Sequence, residues 1–277
     1  MILIADSGST KTDWCLLGDN TCNNVSTQGI NPFLQSEAMI FDILHDELLP
    51  QLEGKGRVNC CYFYGAGCTP EKSPIVSAAL MNVLSIDMCE VQSDLLGAAR
   101  ALCGRNEGIA CILGTGSNSC YYDGNDIVRQ VSPLGYILGD EGSAAYIGKR
   151  LVGNCLKRQF SDSLCDLFFE ETRLDGPTII NKVYSEPLPN RFLGQVSQFC
   201  QHHLDNEEIE LFIIDCFMEF FRRNVISYAR PELPVNFVGS IAHVYRIQLE
   251  EAASQCGLIV GTILRAPMVG MIEYHKK

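Results

Sequence analysis

The sequence predicts an α/β protein built from two related domains, and three observations support this. The first hundred residues alternate between short apolar runs and helical stretches, which is typical of parallel sheets covered by helices. An apolar run that ends in a turn of small and polar residues occurs twice, at residues 6–12 and 114–118. The length of 277 residues, 47% of them hydrophobic, suits one large domain or two medium ones.

The first domain is predicted over residues 1–105 and begins with a β-hairpin. Three short strands are expected first, over residues 2–5, 14–17 and 24–27. Ser36 is a residue type that caps helices, and apolar residues follow it at helical spacing to about Leu52. The elements expected next are a strand over 58–64, a helix over 71–84, a strand over 86–91 and a helix over 94–103.

The second domain is predicted over residues 106–266, since residues 105–108 form a polar boundary. Strands are expected over 109–113, 119–122, 127–131, 235–238 and 258–264. A helical insertion is expected over about 141–230, and a further helix ends near Gln255. We expect the last segment, residues 267–277, to form a helix that rejoins the first domain.

Charge and composition argue against several classes of protein. The net charge is −12 and no basic stripe occurs, so we expect no nucleic-acid partner. No run of 18 apolar residues exists and Asp6 interrupts the first apolar run, so neither a membrane span nor a signal peptide is predicted. The 14 cysteines include no C-x-x-C pair. We therefore expect a cytoplasmic protein with free thiols.

The first polar turn has the composition of a phosphate and magnesium site. Small residues let backbone N–H groups approach an anion, and hydroxyl and ammonium groups can donate to it. A carboxylate at the end of a strand can hold Mg²⁺ through water. The residues concerned are Asp6, Ser7, Gly8, Ser9, Thr10, Lys11 and Thr12. An ordinary polar hairpin turn, with Asp6 as a turn former, remains an equal alternative for this stretch alone.

Further polar stretches follow predicted strands or open predicted helices, where open α/β sheets bind ligands. They are residues 93–94, 114–118, 138–143 and 239–240. Two phosphate-type turns suit a nucleotide held in a cleft between two domains. The sequence contains neither the P-loop pattern nor G-x-G-x-x-G, which argues against a P-loop enzyme and a Rossmann dinucleotide site.

Four motifs in this order resemble the N-acetylglucosamine kinase family: Asp6-Ser-Gly-Ser-Thr-Lys-Thr12, Leu113-Gly-Thr-Gly-Ser-Asn118, Leu138-Gly-Asp-Glu-Gly-Ser143 and Val238-Gly-Ser240. The family belongs with the BadF/BadG/BcrA/BcrD-type ATPases. The resemblance covers nearly the whole chain and implies a two-domain actin-like ATPase (ribonuclease H-like) fold with a nucleotide cleft between the domains. The chain departs at Ser7 and Ser9, where many relatives have glycines.

The resemblance implies ATP and Mg²⁺ as cofactors and gives matching residues their roles. Asp6 would hold Mg²⁺ through water, and Asp94 would be the catalytic base. The terminal phosphates would contact Ser7 to Thr12, the second phosphate turn would be Gly114 and Thr115, and the adenosine would lie by Gly239 and Ser240. The sugar would contact Asn31, Thr115, Gly116, Asn118 and Asp140.

Each of these polar residues has an ordinary structural alternative. Asp94 and Asp140 could be helix N-caps, whereas Asn31 and Asn118 could be turn formers. For Asp94 the position beside the other motifs favours the base.

The expected activity is phosphorylation of an amino sugar, N-acetylglucosamine at its 6-hydroxyl, by Mg-ATP. N-acetylmuramate and glucosamine remain alternative substrates. Another alternative is an ATP-driven activator of a radical dehydratase with an iron–sulfur cluster, for which Cys68 is the ligand position to inspect. A sugar-sensing regulator is disfavoured because no DNA-binding module is evident. The resemblance also allows a homodimer.

Overall fold

The computed structural model describes residues 1–8, 10–18 and 21–276, so Ser9 of the first polar turn lies outside the described residues. The chain divides into two compact units. The first comprises Met1–Asn106, Gly124–Ile127 and the C-terminal segment from Ala266, and the second comprises Glu107–Asp123 and Val128–Arg265.

The sheet of the first unit is mixed and has the order β3-β2-β1-β4-β5. Its strands are β1 (Ile2–Ser7), β2 (Lys11–Leu17), β3 (Cys22–Gln28), β4 (Cys60–Gly65) and β5 (Met88–Ser93). β1 to β3 pair antiparallel, whereas β1, β4 and β5 run parallel. Ser7, Gly65 and Ser93 lie side by side in this register, so the three parallel strands end at one edge.

The helices of this unit follow the predicted order. They are α1 (Glu37–Ile43), α2 (Leu49–Leu52), α3 (Ser73–Leu84) and α4 (Asp94–Cys103). The predicted cap at Ser36 is confirmed, since its side chain accepts from the Met39 N–H. A wider π turn over Leu44–Leu48 joins α1 to α2 just before Pro50, which has no N–H to donate.

The second sheet repeats the first topology, with the order β10-β9-β6-β7-β8. Its strands are β6 (Gly108–Leu113), β7 (Ser117–Tyr122), β8 (Ile127–Val131), β9 (Val235–Val238) and β10 (Val260–Leu264). β6 and β7 form an antiparallel hairpin, and β9 runs parallel to both β6 and β10. In each sheet a three-stranded meander is therefore extended by two parallel strands.

The stretch over 141–230 that was expected to be helical contains most helices of the second unit. The helices of the second unit are α5 (Gly135–Leu138), α6 (Ala144–Leu156), α7 (Asp162–Thr172), α8 (Gly176–Tyr184), α9 (Pro189–Val196), α10 (Gln198–His202), α11 (Glu207–Phe220), α12 (Ser240–Val244) and α13 (Arg246–Gln255). The last helix, α14 (Met268–His275), belongs to the first unit.

Each unit has its own buried core. In the first unit, Trp14 and Phe63 fill one face of the sheet, and Ile4 and Tyr64 pack with Met271 of α14 on the other. In the second unit, aromatic residues of α11 pack against Phe237 of β9. Among residues 1–8, 10–18 and 21–276, no helix has the length and apolarity needed to cross a membrane.

Candidate functional site

Three carboxylates meet at the carboxyl ends of the parallel strands in the first unit. Asp6 is in β1, and Asp13 pairs with it directly across the β1–β2 hairpin. Asp94 begins α4 immediately after β5. Burial, and after it the charges of Asp94 and Asp13, raise the pKa of Asp6 to about 7. Asp6 therefore holds a proton near neutral pH when no cation is close by.

Asp94 is not the N-cap of its helix, although the sequence left that alternative open. Ser93 takes this role, because its hydroxyl accepts from the Leu96 N–H at 3.2 Å. Asp94 occupies the first helical position, and its Oδ1 accepts from the Leu95 N–H at 2.8 Å. Desolvation raises the pKa of Asp94, and the backbone hydrogen bonds oppose this. A desolvated carboxylate of this kind is a suitable proton acceptor.

The first polar turn is held together by two buried hydroxyls. The Ser7 and Thr12 oxygens lie 2.7 Å apart, and both side chains are buried. The Ser7 hydroxyl also donates to Ile30 O and accepts from Ile30 N, both at 3.0 Å. These two hydroxyls therefore support the turn from inside the protein.

The described residues between Ser7 and Thr12 form the exposed part of this turn. The Gly8 N–H donates to Lys11 O at 3.0 Å and closes the turn. Gly8 and Thr10 are exposed. Lys11 is also exposed and forms an ion pair with Asp13 at 2.6 Å.

The donor set around Asp6 fits a magnesium ion that is bound mainly by a nucleotide. Among the described residues, no ion pair reaches Asp6, and no group of three or more His, Cys, Asp or Glu side chains could hold a metal ion. Mg²⁺ usually takes one or two protein carboxylates and completes its shell with phosphate oxygens and water. The half-buried Asp6 beside Asp94 and Asp13 suits this mode and not an all-protein cage.

Asn31 lies beside the same edge and uses its side chain partly for local structure. Its Oδ1 accepts from the Phe33 N–H at 3.0 Å, which is the turn chemistry that the sequence left open. A Cβ atom on Gly67 would lie 2.3 Å from this oxygen, so the glycine permits the close approach. Asn31 follows Ile30, which bonds Ser7, and this connects the loop to the first polar turn.

The second polar turn lies at the carboxyl end of β6 in the second unit. The Gly114 N–H donates to Gly116 O at 3.0 Å. The first two N–H groups of α6, from Ala144 and Ala145, donate to Gly114 O and Thr115 O at 2.9 and 3.1 Å. The start of α6 therefore fixes the carbonyl side of this turn.

Asp140 belongs to the same cluster. Its Oδ1 accepts from the Ser117 N–H at 3.3 Å, and Ser143, not Asp140, caps α6. A Cβ atom on Gly116 would lie 3.1 Å from Asp140 Oδ2, so the turn passes close to this carboxylate. Burial and then Glu141 raise the pKa of Asp140, whereas a hydrogen bond from Ser117 and the charge of Lys149 oppose the rise.

Gly239 and Ser240 lie next to this turn because β9 runs parallel to β6. Gly239 has φ +130°, and a Cβ atom there would lie 2.1 Å from Leu113 O. Only glycine fits such a backbone approach.

Asn118 uses its side chain for local structure, since its Oδ1 accepts from the Ser119 N–H and from Gln130 Nε2, both at 3.0 Å. Its side-chain oxygen therefore has structural partners on and beside the sheet.

Sequence reasoning missed two residues that the structure brings to these clusters. Asp13 faces Asp6, and the signal was available: a turn that pairs Ser7 with Thr12 must also pair Asp6 with Asp13. Lys149 acts on Asp140 electrostatically, and its Nζ donates to Tyr136 O at 2.7 Å. No sequence pattern pointed to Lys149, because its partner carbonyl lies in a separate segment.

The structure is similar to three known structures over nearly their full lengths. A candidate N-acetylglucosamine kinase from Porphyromonas gingivalis has 49% sequence identity and a TM-score of 0.94, with 99% of this chain and 98% of that chain covered. A second, from Chromobacterium violaceum, has 15% identity, a TM-score of 0.74 and coverage of 99% and 98%. A ROK hexokinase from Thermus thermophilus has 11% identity, a TM-score of 0.54 and coverage of 99% and 97%. No protein-family model and no curated protein matches the chain.

The fold and the similar structures together define the class of the protein. The two mixed sheets and the structural likenesses are those of the actin-like ATPase fold, so the predicted fold class is confirmed. The relative from P. gingivalis is close enough to show the family as well. The chain belongs to the N-acetylglucosamine kinase family, as its motifs indicated.

Proposed function

We propose that the protein is an ATP-dependent sugar kinase that phosphorylates the 6-hydroxyl of N-acetylglucosamine. The observation that carries the proposal is the placement of Asp6 and Asp94 at the same edge of the first sheet, in β1 and after β5, where the charge of Asp94 raises the pKa of Asp6. Family membership supports the choice of sugar, because the 49% identical relative is a candidate N-acetylglucosamine kinase.

Phosphoryl transfer needs a group that receives the hydroxyl proton and groups that bind the charged phosphates. In the proposal, a carboxylate oxygen of Asp94 accepts the proton from the sugar hydroxyl. Its raised pKa makes it a stronger base than an ordinary exposed aspartate. Asp6, with Asp13 behind it, would hold the Mg²⁺ that neutralises phosphate charge. The exposed Lys11 of the first turn would orient the terminal phosphates.

The second unit would supply the remaining contacts of the proposed reaction. Gly114 and Thr115 form a tight turn with little side-chain bulk, which suits a phosphate-binding role. Gly239 and Ser240 are proposed to contact the adenosine. The carboxylate of Asp140 would accept from a sugar hydroxyl. Asn31, Gly116 and Asn118 remain proposed sugar contacts, although the oxygens of both asparagines also serve local structure.

The radical-dehydratase activator is less well supported. An iron–sulfur cluster shared between subunits needs thiolates at a protein surface. Cys68, the position that the sequence singled out, is buried, and burial raises the pKa of its thiol to about 12. A cytoplasmic location and a homodimer remain predictions that accompany the kinase proposal.

One observation favours N-acetylmuramate as a second candidate substrate. Its lactyl carboxylate would need a cation near the sugar, and Lys149 lies within electrostatic range of Asp140. Two backbone carbonyls, Tyr136 O and Ile137 O, hold the Lys149 ammonium in place. A Lys149→Met variant that loses phosphorylation of N-acetylmuramate and keeps that of N-acetylglucosamine would support this role for Lys149.

The decisive experiment is ADP release by purified protein with Mg-ATP. The sugars to compare are N-acetylglucosamine, N-acetylmannosamine, glucosamine, N-acetylmuramate and glucose, with a sugar-free reaction as baseline. We expect one amino sugar to stimulate turnover and Asp94→Asn to lower kcat by about 10²- to 10⁴-fold, the usual range for losing a general base. Asp87→Asn, an exposed aspartate before the other end of β5, is the matched control. ADP release that is independent of sugar would contradict the kinase proposal.

A further inference from the structure

Two thiols meet on one face of the hairpin formed by β2 and β3. Cys15 lies in β2 opposite Asn24, and Cys22 lies in β3 opposite Leu17. Since side chains two residues apart on a strand share a face, Cys15 and Cys22 are diagonal neighbours on the same side of the sheet. Neither residue has a role in the proposed kinase reaction.

The two sulfur atoms are 2.6 Å apart, and both cysteines are free thiols. A disulfide bond is about 2.05 Å long, so the sulfurs need to approach by only about 0.5 Å more. Gly18 N donates to Thr21 O at 2.9 Å and holds the two strands together at their common turn. The hairpin therefore brings the two sulfur atoms within reach of each other.

The two thiols differ in their access to reagents. Cys22 is exposed, whereas Cys15 is buried. Burial, followed by the contact with Cys22, raises the pKa of Cys15 to about 12, so this thiol stays protonated at neutral pH. An oxidant in solution can reach Cys22 first, and the Cys15 sulfur lies 2.6 Å from the Cys22 sulfur.

We propose that Cys15 and Cys22 are a reversible oxidation site that forms an intrachain disulfide with a low-molecular-weight disulfide as oxidant. The Cys22 thiolate attacks one sulfur of the oxidant and releases one thiol, which gives a mixed disulfide on Cys22. Cys15 then gives its proton to water, its thiolate attacks the Cys22 sulfur, and the second small-molecule sulfur leaves and takes up a proton to become a thiol. Two protein thiols are oxidised and one small disulfide is reduced to two thiols.

Other cysteines provide internal competitors for this reaction. Cys61 and Cys89 pair directly across β4 and β5, and Cys155 lies beside Cys165. Cys61, Cys155 and Cys165 are buried, and Cys89 is partly so. The oxidant should therefore reach these pairs more slowly than the exposed Cys22, because thiol–disulfide exchange depends on access.

The test treats the purified full-length protein with oxidised glutathione, followed by denaturation, alkylation and tryptic digestion. Cys15 and Cys22 are the two cysteines of the peptide that runs from Thr12 to Lys55, whereas Cys61 lies beyond Arg57. We expect this peptide to lose two hydrogen atoms and both alkylation sites. Treatment with dithiothreitol should restore the original mass of the peptide and both alkylation sites.

The closed loop is short, and a disulfide of this size should raise the melting temperature by about 5 °C. Cys22→Ser should abolish both the mass loss and the thermal shift, whereas the control Cys256→Ser, a partly exposed lone cysteine in the second unit, should retain both. Cys15→Ala should stop the reaction at a glutathione adduct on Cys22. Oxidation that maps to Cys61 and Cys89 or to Cys155 and Cys165, or a 12–55 peptide that stays reduced, would overturn the proposal.

Discussion

Replacing Asp6 by Asn should stabilise the metal-free protein at alkaline pH. The pKa of Asp6 is raised from 3.8 to about 7, so the folded state holds this proton more tightly than the unfolded chain does. The protonated carboxyl therefore contributes its full stabilisation of the folded state below pH 3.8, and this stabilisation is lost as the pH rises through 7. The shift corresponds to about 4 kcal/mol, and because Asp6 keeps some solvent exposure we expect about 2 kcal/mol in practice.

Urea unfolding at pH 4 and pH 8, with EDTA, measures this effect. Asp6→Asn should match the wild type at pH 4 and exceed it by about 2 kcal/mol at pH 8. Asp42→Asn, which changes an exposed aspartate of α1, should alter neither value. Addition of Mg²⁺ at pH 8 should stabilise the wild type more than Asp6→Asn. A variant that is less stable than the wild type at pH 8 without metal would refute the raised pKa of Asp6.

Two further predictions concern backbone packing and the C-terminal helix. Gly239→Ala should cost about 3 kcal/mol in urea unfolding, because its Cβ would lie 2.1 Å from Leu113 O at φ +130°. Gly153→Ala, which has open space around the new Cβ, should raise the free energy of unfolding by about 0.5 kcal/mol. Burial and nearby arginines lower the pKa of His275 to about 4. Docking of α14, in which His275 Nε2 lies 2.8 Å from the Tyr64 hydroxyl, should therefore weaken as the pH falls from 6.5 to 4 and the buried imidazole becomes charged. Hydrogen exchange in α14 should show this acid loss in the wild type, and His275→Gln should not show it.

The sequence predicted the fold well where the signal was periodic. The strand, helix and turn order of both sheets followed from apolar runs and capping residues, and Ser36 is the cap that was expected. Boundaries were less accurate: β5 runs to Ser93, two residues beyond the apolar run that predicted it. The extension arises because Ser93 pairs with Gly65 of β4, and such a tertiary contact leaves no mark on local hydrophobicity.

The chemistry of the first polar turn could be predicted only in part. Residue types suggested a donor-rich loop, yet Ser7 and Thr12 direct their hydroxyls toward each other inside the protein. Residue type cannot distinguish a hydroxyl that contacts a ligand from one that stabilises a hairpin, because both positions favour a small polar residue. Assigning the third carboxylate, Asp13, to the site required the pairing register of β1 and β2 and not only the sequence motif.

Capping and catalysis favour the same residue types at the start of a helix, which is why residue type alone could not assign Asp94 or Asp140. The structure separates the two roles in the same way in both units. Ser93 caps α4 and Ser143 caps α6, so neither carboxylate is the N-cap of its helix, although Asp94 also accepts from the Leu95 N–H. Both carboxyl groups are nevertheless desolvated enough to raise their pKa. A desolvated acid that is not the cap of its helix costs stability, and such a cost is expected where function selects the residue.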